Sequence, residues 1–81
     1  MNRYTVEIAR RTIKSIATLP RKEQQRVRAA IDLLAGDPRP PGCVAPVAED
    51  SVYRVRVGDY RILYEIVDAR LVIHVVVGHR R

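Results

Sequence analysis

Residues 3–8 alternate, with Tyr4, Val6 and Ile8 on one side and Thr5 and Glu7 on the other. Period-2 alternation of this kind predicts a short half-buried strand. From Arg10 the period lengthens, and Ile13, Ile16 and Ala17 form a helical stripe that runs to Leu19-Pro20. Pro20 suits the first turn of a second helix, where its missing N–H leaves nothing unsatisfied. Val27, Ala30, Ile31, Leu34 and Ala35 make that helix apolar on one face, and Gly36-Asp37-Pro38 ends it. Five of the fourteen residues in 37–50 are Pro or Gly (Pro38, Pro40, Pro41, Gly42, Pro46), which predicts a loop. Residues 52–57, 60–67 and 71–77 are rich in Val, Ile and Tyr and are separated by Gly58-Asp59 and Asp68-Ala69-Arg70, so each predicts a strand. The order β-α-α-β-β-β predicts an α+β fold, an antiparallel sheet with a helical hairpin packed on one face.

A two-residue turn at Gly58-Asp59 fixes the register of the first hairpin. Val57 then faces Tyr60, Arg56 faces Arg61 and Arg54 faces Leu63. Tyr53, Val55, Val57, Tyr60, Ile62, Tyr64 and Ile66 share the face expected to meet the helices. Arg54, Arg56 and Arg61 gather on the opposite face. Pairing Ile66 with Leu71 puts His74 opposite Leu63 and Val76 opposite Arg61, and parity carried past Gly78 aims Arg80 toward the same face. Like charges directly across a strand pair destabilise it, so folding alone does not select Arg56 opposite Arg61. An anion between them would. Taken singly, each of these residues also fits an ordinary solvent-facing sheet surface, and Arg is a common blocker of sheet edges.

Length and charge sharpen this picture. Eighty-one residues predict one domain over 1–81. A domain this small is marginal alone and gains from a bound partner. The net charge is +6, and 13 of the 15 basic residues are Arg. Arg offers a permanently charged fork suited to phosphate, although a genome rich in G and C would give the same bias. Residues 1–35 carry 8 positive and 3 negative charges, expected to be mostly a solvated helical face. One cysteine, Cys43, excludes a disulfide framework or thiolate metal cage. No apolar run approaches the ~18 residues of a membrane span, and the first residues lack a secretion signal, so a cytoplasmic location is expected. There is no glycine-rich phosphate loop and no carboxylate cluster spaced for Mg²⁺, so no cofactor or metal is expected. A shallow basic face suits single-stranded nucleic acid. Cutting RNA there would need a base for the 2′-OH and cations for the extra charge on phosphorus. Arginine supplies the cations but stays protonated, and only His74 and His79 titrate near neutrality.

The stretch Tyr53-Arg54-Val55-Arg56-Val57-Gly58-Asp59-Tyr60-Arg61-Ile62-Leu63-Tyr64-Glu65-Ile66, with Val77-Gly78-His79-Arg80, resembles the RelE/ParE toxin superfamily of bacterial toxin–antitoxin modules. The element order, the Leu19-Pro20 break and the Asp37-Pro38 exit extend the likeness along the whole chain. The resemblance implies a type II toxin neutralised by a cognate antitoxin, in a toxin–antitoxin hetero-oligomer. RelE-like members cut mRNA on the ribosome without metal and leave a 2′,3′-cyclic phosphate. ParE-like members poison DNA gyrase instead, and a third expectation is a module acting only in a repressor complex on DNA. For the RelE-like reading it implies catalytic roles for Arg56, Arg61 and Arg80, with Arg54 on RNA phosphate; the register adds His74 to the phosphate-binding face, and with Arg at position 56 the base falls to His79 or His74. The family often has Lys at the position of Arg56, and often continues past His-Arg to a Tyr that stacks on the RNA base.

Overall fold

A computed structural model of the chain describes residues 3–46 and 51–78. The elements are β1 (Thr5–Ile8), α1 (Arg10–Ala17), α2 (Arg21–Gly36), β2 (Tyr53–Val57), β3 (Tyr60–Val67) and β4 (Arg70–Gly78). The order matches the sequence pattern, and so does the α+β class. Strands β2, β3 and β4 form the expected antiparallel meander. The sheet order is β1-β4-β3-β2, and β1 lies parallel to β4, so the sheet is mixed rather than wholly antiparallel. The physical reason is the connection: the two helices between β1 and the meander form a crossover, which parallel neighbours require.

Both helices pack on one face of the sheet. Ile16, Val27, Ile31, Leu34 and Ala35 bury against Ile62, Tyr64, Leu71 and Ile73. The seven meander residues expected on the helix face all belong to this core or pack against it. α2 buries the stripe its sequence dictates. α1 does not: Ile13 is 53% exposed, whereas Thr12 is 3% exposed. The short helix rolls inward because the Thr12 hydroxyl donates to the His74 carbonyl at 2.6 Å. Pro20 stands just before α2 and accepts from Gln24 N through its carbonyl. The Gln24 side chain donates to the carbonyls of Ala17 and Leu19 at 3.1 and 2.9 Å, satisfying orphan acceptors at the end of α1.

Tyr64 anchors the core from the sheet side. It is fully buried, its ring stacks on Tyr53 with centroids 5.6 Å apart, and its hydroxyl donates to the Pro38 carbonyl at 2.7 Å. Burial, with Cys43 beside it, pushes the Tyr64 phenol above its ordinary range. Through that bond the loop after α2 is held against the sheet. Arg39 reinforces it, placing its guanidinium 5.5 Å over the Tyr53 ring and donating to the Tyr53 hydroxyl at 3.1 Å.

Replacing Thr12 with Val keeps the shape and removes the hydroxyl. The His74 carbonyl then loses its partner, so Thr12→Val should cost about 1–2 kcal/mol of stability in a denaturant titration.

Candidate nucleic-acid interface

The helices cover one face of the sheet and leave the other open. The β2–β3 register is the one the turn dictates: Arg54 pairs with Leu63, Arg56 with Arg61 and Val57 with Tyr60. Gly58 takes the left-handed backbone that closes so tight a turn, at φ 58°. Alternation then places Arg54 and Arg56 of β2 beside Arg61 and Leu63 of β3 on the open face. The Arg54 guanidinium donates to the Val52 carbonyl at 3.1 Å. Arg56 is exposed and reaches only the Gly58 carbonyl, at 3.2 Å. Arg61 is exposed and makes no hydrogen bond or ion pair among the described residues. Two facing guanidinium groups thus stand in solvent with no carboxylate between them among the described residues.

The loop after α2 walls this cluster on one side. Val44 donates to the Arg54 carbonyl at 2.8 Å and accepts from the Arg54 amide at 3.1 Å, an isolated antiparallel bridge along the outer edge of β2. Gly42, Val44, Arg54, Arg56 and Arg61 line a shallow cavity of about 320 Å³. The sequence marks this segment as loop by its prolines, and nothing in its pattern shows that it closes a site.

β4 departs from the expected register. Ile66 does pair with Leu71, but the ladder shifts between Leu63 and Tyr64. Leu63 pairs with Val75, Ile62 with Val76 and Arg61 with Val77. His74 is therefore not opposite Leu63, nor Val76 opposite Arg61: His74 is the extra residue of a β-bulge. The shift also undoes the parity on which Arg80 was placed. Arg80 and His79 lie outside the described residues.

At the bulge His74 meets Glu65. His74 Nε2 lies 2.7 Å from Glu65 Oε1, and Ser51 donates from its hydroxyl to Glu65 Oε2 at 2.6 Å. Both side chains are partly buried, at 38% and 30% exposure. The sequence carries a signal for this pair, because residue 74 lies two residues along β4 from the Glu65–Val72 pairing, a diagonal neighbour. Ser51 carried no such signal. Farther down the same face, Arg70 donates to both Glu7 oxygens at 3.2 and 3.3 Å.

The facing arginines allow a test that needs no RNA. Arg56→Gln removes a like charge opposite Arg61 and should raise stability by a few tenths of a kcal/mol at low ionic strength. Melting in 1 M salt should abolish the gain, because screening then acts within about 3 Å.

The family model for the ParE toxin of type II toxin–antitoxin systems, parDE, matches residues 4–81. The chain belongs to the RelE/ParE family of type II toxins. A curated relative of this toxin, RelE1 of Methanocaldococcus jannaschii, is 31% identical over 75 residues, covering 88% of this chain and 83% of its own. Among solved structures, the archaeal RelE–RelB complex from Pyrococcus horikoshii superposes with a TM-score of 0.82 at 27% identity, over 96% of this chain and 97% of that one. The RelBE2 toxin–antitoxin complex from Mycobacterium tuberculosis gives 0.76 at 28% identity, over 94% and 98%. The isolated RelE toxin of Escherichia coli shares the fold, with a TM-score of 0.82 at 16% identity over 96% and 86%. Among the described residues of the toxin, no helix is long and apolar enough to cross a membrane.

Proposed function

We propose that this toxin is an mRNA endoribonuclease that acts on ribosome-bound message and is held inactive by a cognate antitoxin. One observation carries the reading: Arg56 and Arg61 face each other directly on the open sheet face, with Arg54 alongside. That arrangement costs folding energy and is relieved by a bound phosphate. Residues 1–81 act as one toxin domain in the cytoplasm. Arg54 holds an RNA phosphate. Arg56 and Arg61 stabilise the extra negative charge as the 2′-oxygen attacks phosphorus, the task a metal ion performs in other nucleases. Arg80, by family resemblance, stabilises the charge that develops on the leaving oxygen, and the product is a 2′,3′-cyclic phosphate. The exposed Arg10, Arg11, Lys14, Arg21 and Arg28 of the two helices supply contacts to ribosomal RNA.

The antitoxin reading rests on the relatives, several of which were solved as RelE–RelB complexes. An acidic antitoxin segment laid over Arg54, Arg56 and Arg61 would neutralise the face that RNA needs. A second reading has its own support, since the matching family model is that of ParE toxins. On that reading the same arginines would engage DNA gyrase and cut nothing.

Purified toxin incubated with mRNA-programmed ribosomes, and in parallel with gyrase and supercoiled DNA, separates the two. Cleavage within the codon of the ribosomal decoding site, leaving a 2′,3′-cyclic phosphate, is the expected result. Intact mRNA together with trapped gyrase–DNA complexes overturns the nuclease reading in favour of the second.

A further inference from the structure

Arginine at position 56 leaves the proposed nuclease short of a base, because a guanidinium does not give up its proton near neutrality. Among the described residues, the open face holds one group that can fill the gap. We infer that His74, oriented by Glu65, is the general base that takes the 2′-OH proton; the inference rests on the nuclease reading above.

The geometry is that of an oriented imidazole. An ionised carboxylate can only accept, so in the 2.7 Å contact with Glu65 Oε1 it is His74 Nε2 that carries the proton. Nδ1 is then the lone-pair nitrogen, and it has no hydrogen-bond partner among the described residues. Glu65 is itself steadied by Ser51 at its other oxygen. A carboxylate in this position fixes the tautomer and stabilises the imidazolium formed once a proton arrives. Bulges re-aim side chains, and this one is pinned by the Thr12 hydroxyl on the carbonyl of His74 itself.

The placement fits a ribose–phosphate unit. Leu63 forms a half-buried apolar floor on β3. Arg54 is its partner on β2, and His74 lies at the bulge beside it on β4. Two strand spacings put the main chains of Arg54 and His74 about 10 Å apart across that floor. Arg61 stands two residues along β3, about 7 Å away. One phosphodiester over Leu63 can therefore be met by Arg54 and Arg61 while His74 reaches the adjoining ribose.

The step balances without a further reactant. The 2′-O–H proton moves to Nδ1, the 2′-oxygen forms a bond to phosphorus, and the bond from phosphorus to the 5′-oxygen breaks. The 5′-oxygen takes a proton from solvent, and the imidazolium later returns its own to solvent. The products are a 2′,3′-cyclic phosphate and a 5′-hydroxyl.

Single-turnover cleavage of mRNA on programmed ribosomes tests the assignment, with ribosome binding followed by co-sedimentation and folding by thermal melting. His74→Ala should cut at least about 100-fold more slowly while still binding ribosomes, the range of a lost general base. Added imidazole should restore a substantial part of the rate to His74→Ala and none to Arg61→Ala. Glu65→Gln, which keeps a side-chain acceptor but loses the charge, should slow cleavage by a smaller factor with binding unchanged. A wild-type rate in folded His74→Ala overturns the inference and leaves the nuclease reading standing, as does a slow variant that imidazole cannot rescue. Failure of the wild-type toxin to cut on ribosomes overturns the nuclease reading, and this inference with it.

Discussion

Arg61→Ala should lose at least about 100-fold in mRNA cleavage, the cost of deleting one donor aimed at developing oxyanion charge. The reasoning starts from what the side chain does not do. It is exposed, makes no hydrogen bond or ion pair among the described residues, and stands opposite another arginine. Its removal takes nothing from the core and relieves a repulsion, so the melting temperature should hold or rise slightly. Loss of activity without loss of stability is the signature of a group kept for its ligand. Arg61→Lys sharpens the test, since an ammonium keeps the charge but not the two-pronged fork. It should recover only part of the rate. Equal cleavage by wild type and folded Arg61→Ala would show that the arginine face is not where phosphate charge develops.

Tyr64→Ala should have the largest effect on stability. Deleting a buried aromatic ring from a packed core costs about 3–5 kcal/mol. Tyr64 is fully buried, stacks on Tyr53 and ties the loop to the sheet through Pro38. Whole domains have only about 5–15 kcal/mol of stability, and small ones sit at the low end. The variant should therefore be largely unfolded at 37 °C, with lost near-ultraviolet circular dichroism as the readout. Tyr64→Phe separates the parts: the ring stays, the Pro38 carbonyl loses its donor, and the cost should be about 1–3 kcal/mol. Wild type and Tyr64→Phe also differ in alkali. Because burial raises the Tyr64 phenol in the folded state, the unfolded chain releases that proton first. Wild-type stability should fall as pH rises above about 10, the ordinary tyrosine value, and Tyr64→Phe should flatten that fall.

The same residues show what the sequence could and could not reveal. The Gly58-Asp59 turn allows a single register, so the facing of Arg56 and Arg61 was readable from spacing alone. Alternation in 53–66 was equally plain, because polar and apolar residues take turns there. The run Leu71-Val72-Ile73-His74-Val75-Val76-Val77 is different. With apolar residues on both sides, a one-residue slip leaves no mark in the pattern, and the bulge at His74 went unseen. That slip takes His74 off its expected place opposite Leu63. Thr12 was hidden for a related reason: Ile13 is the more apolar residue, and only the carbonyl freed at the bulge makes a hydroxyl the better one to bury. The parallel seat of β1 and the Val44 bridge depend on contacts between distant segments, which no local pattern encodes.

The arginine face, the proposed site of mRNA cleavage, is the centre of this account. The most direct measurement is to map 5′ ends across the transcriptome shortly after inducing the toxin in cells, with Arg61→Ala induced to the same level. The account predicts new ends at a fixed position within codons for the wild type, confined to translated regions, and none for Arg61→Ala. Growth arrest without codon-phased ends, or the same ends from both proteins, would contradict it.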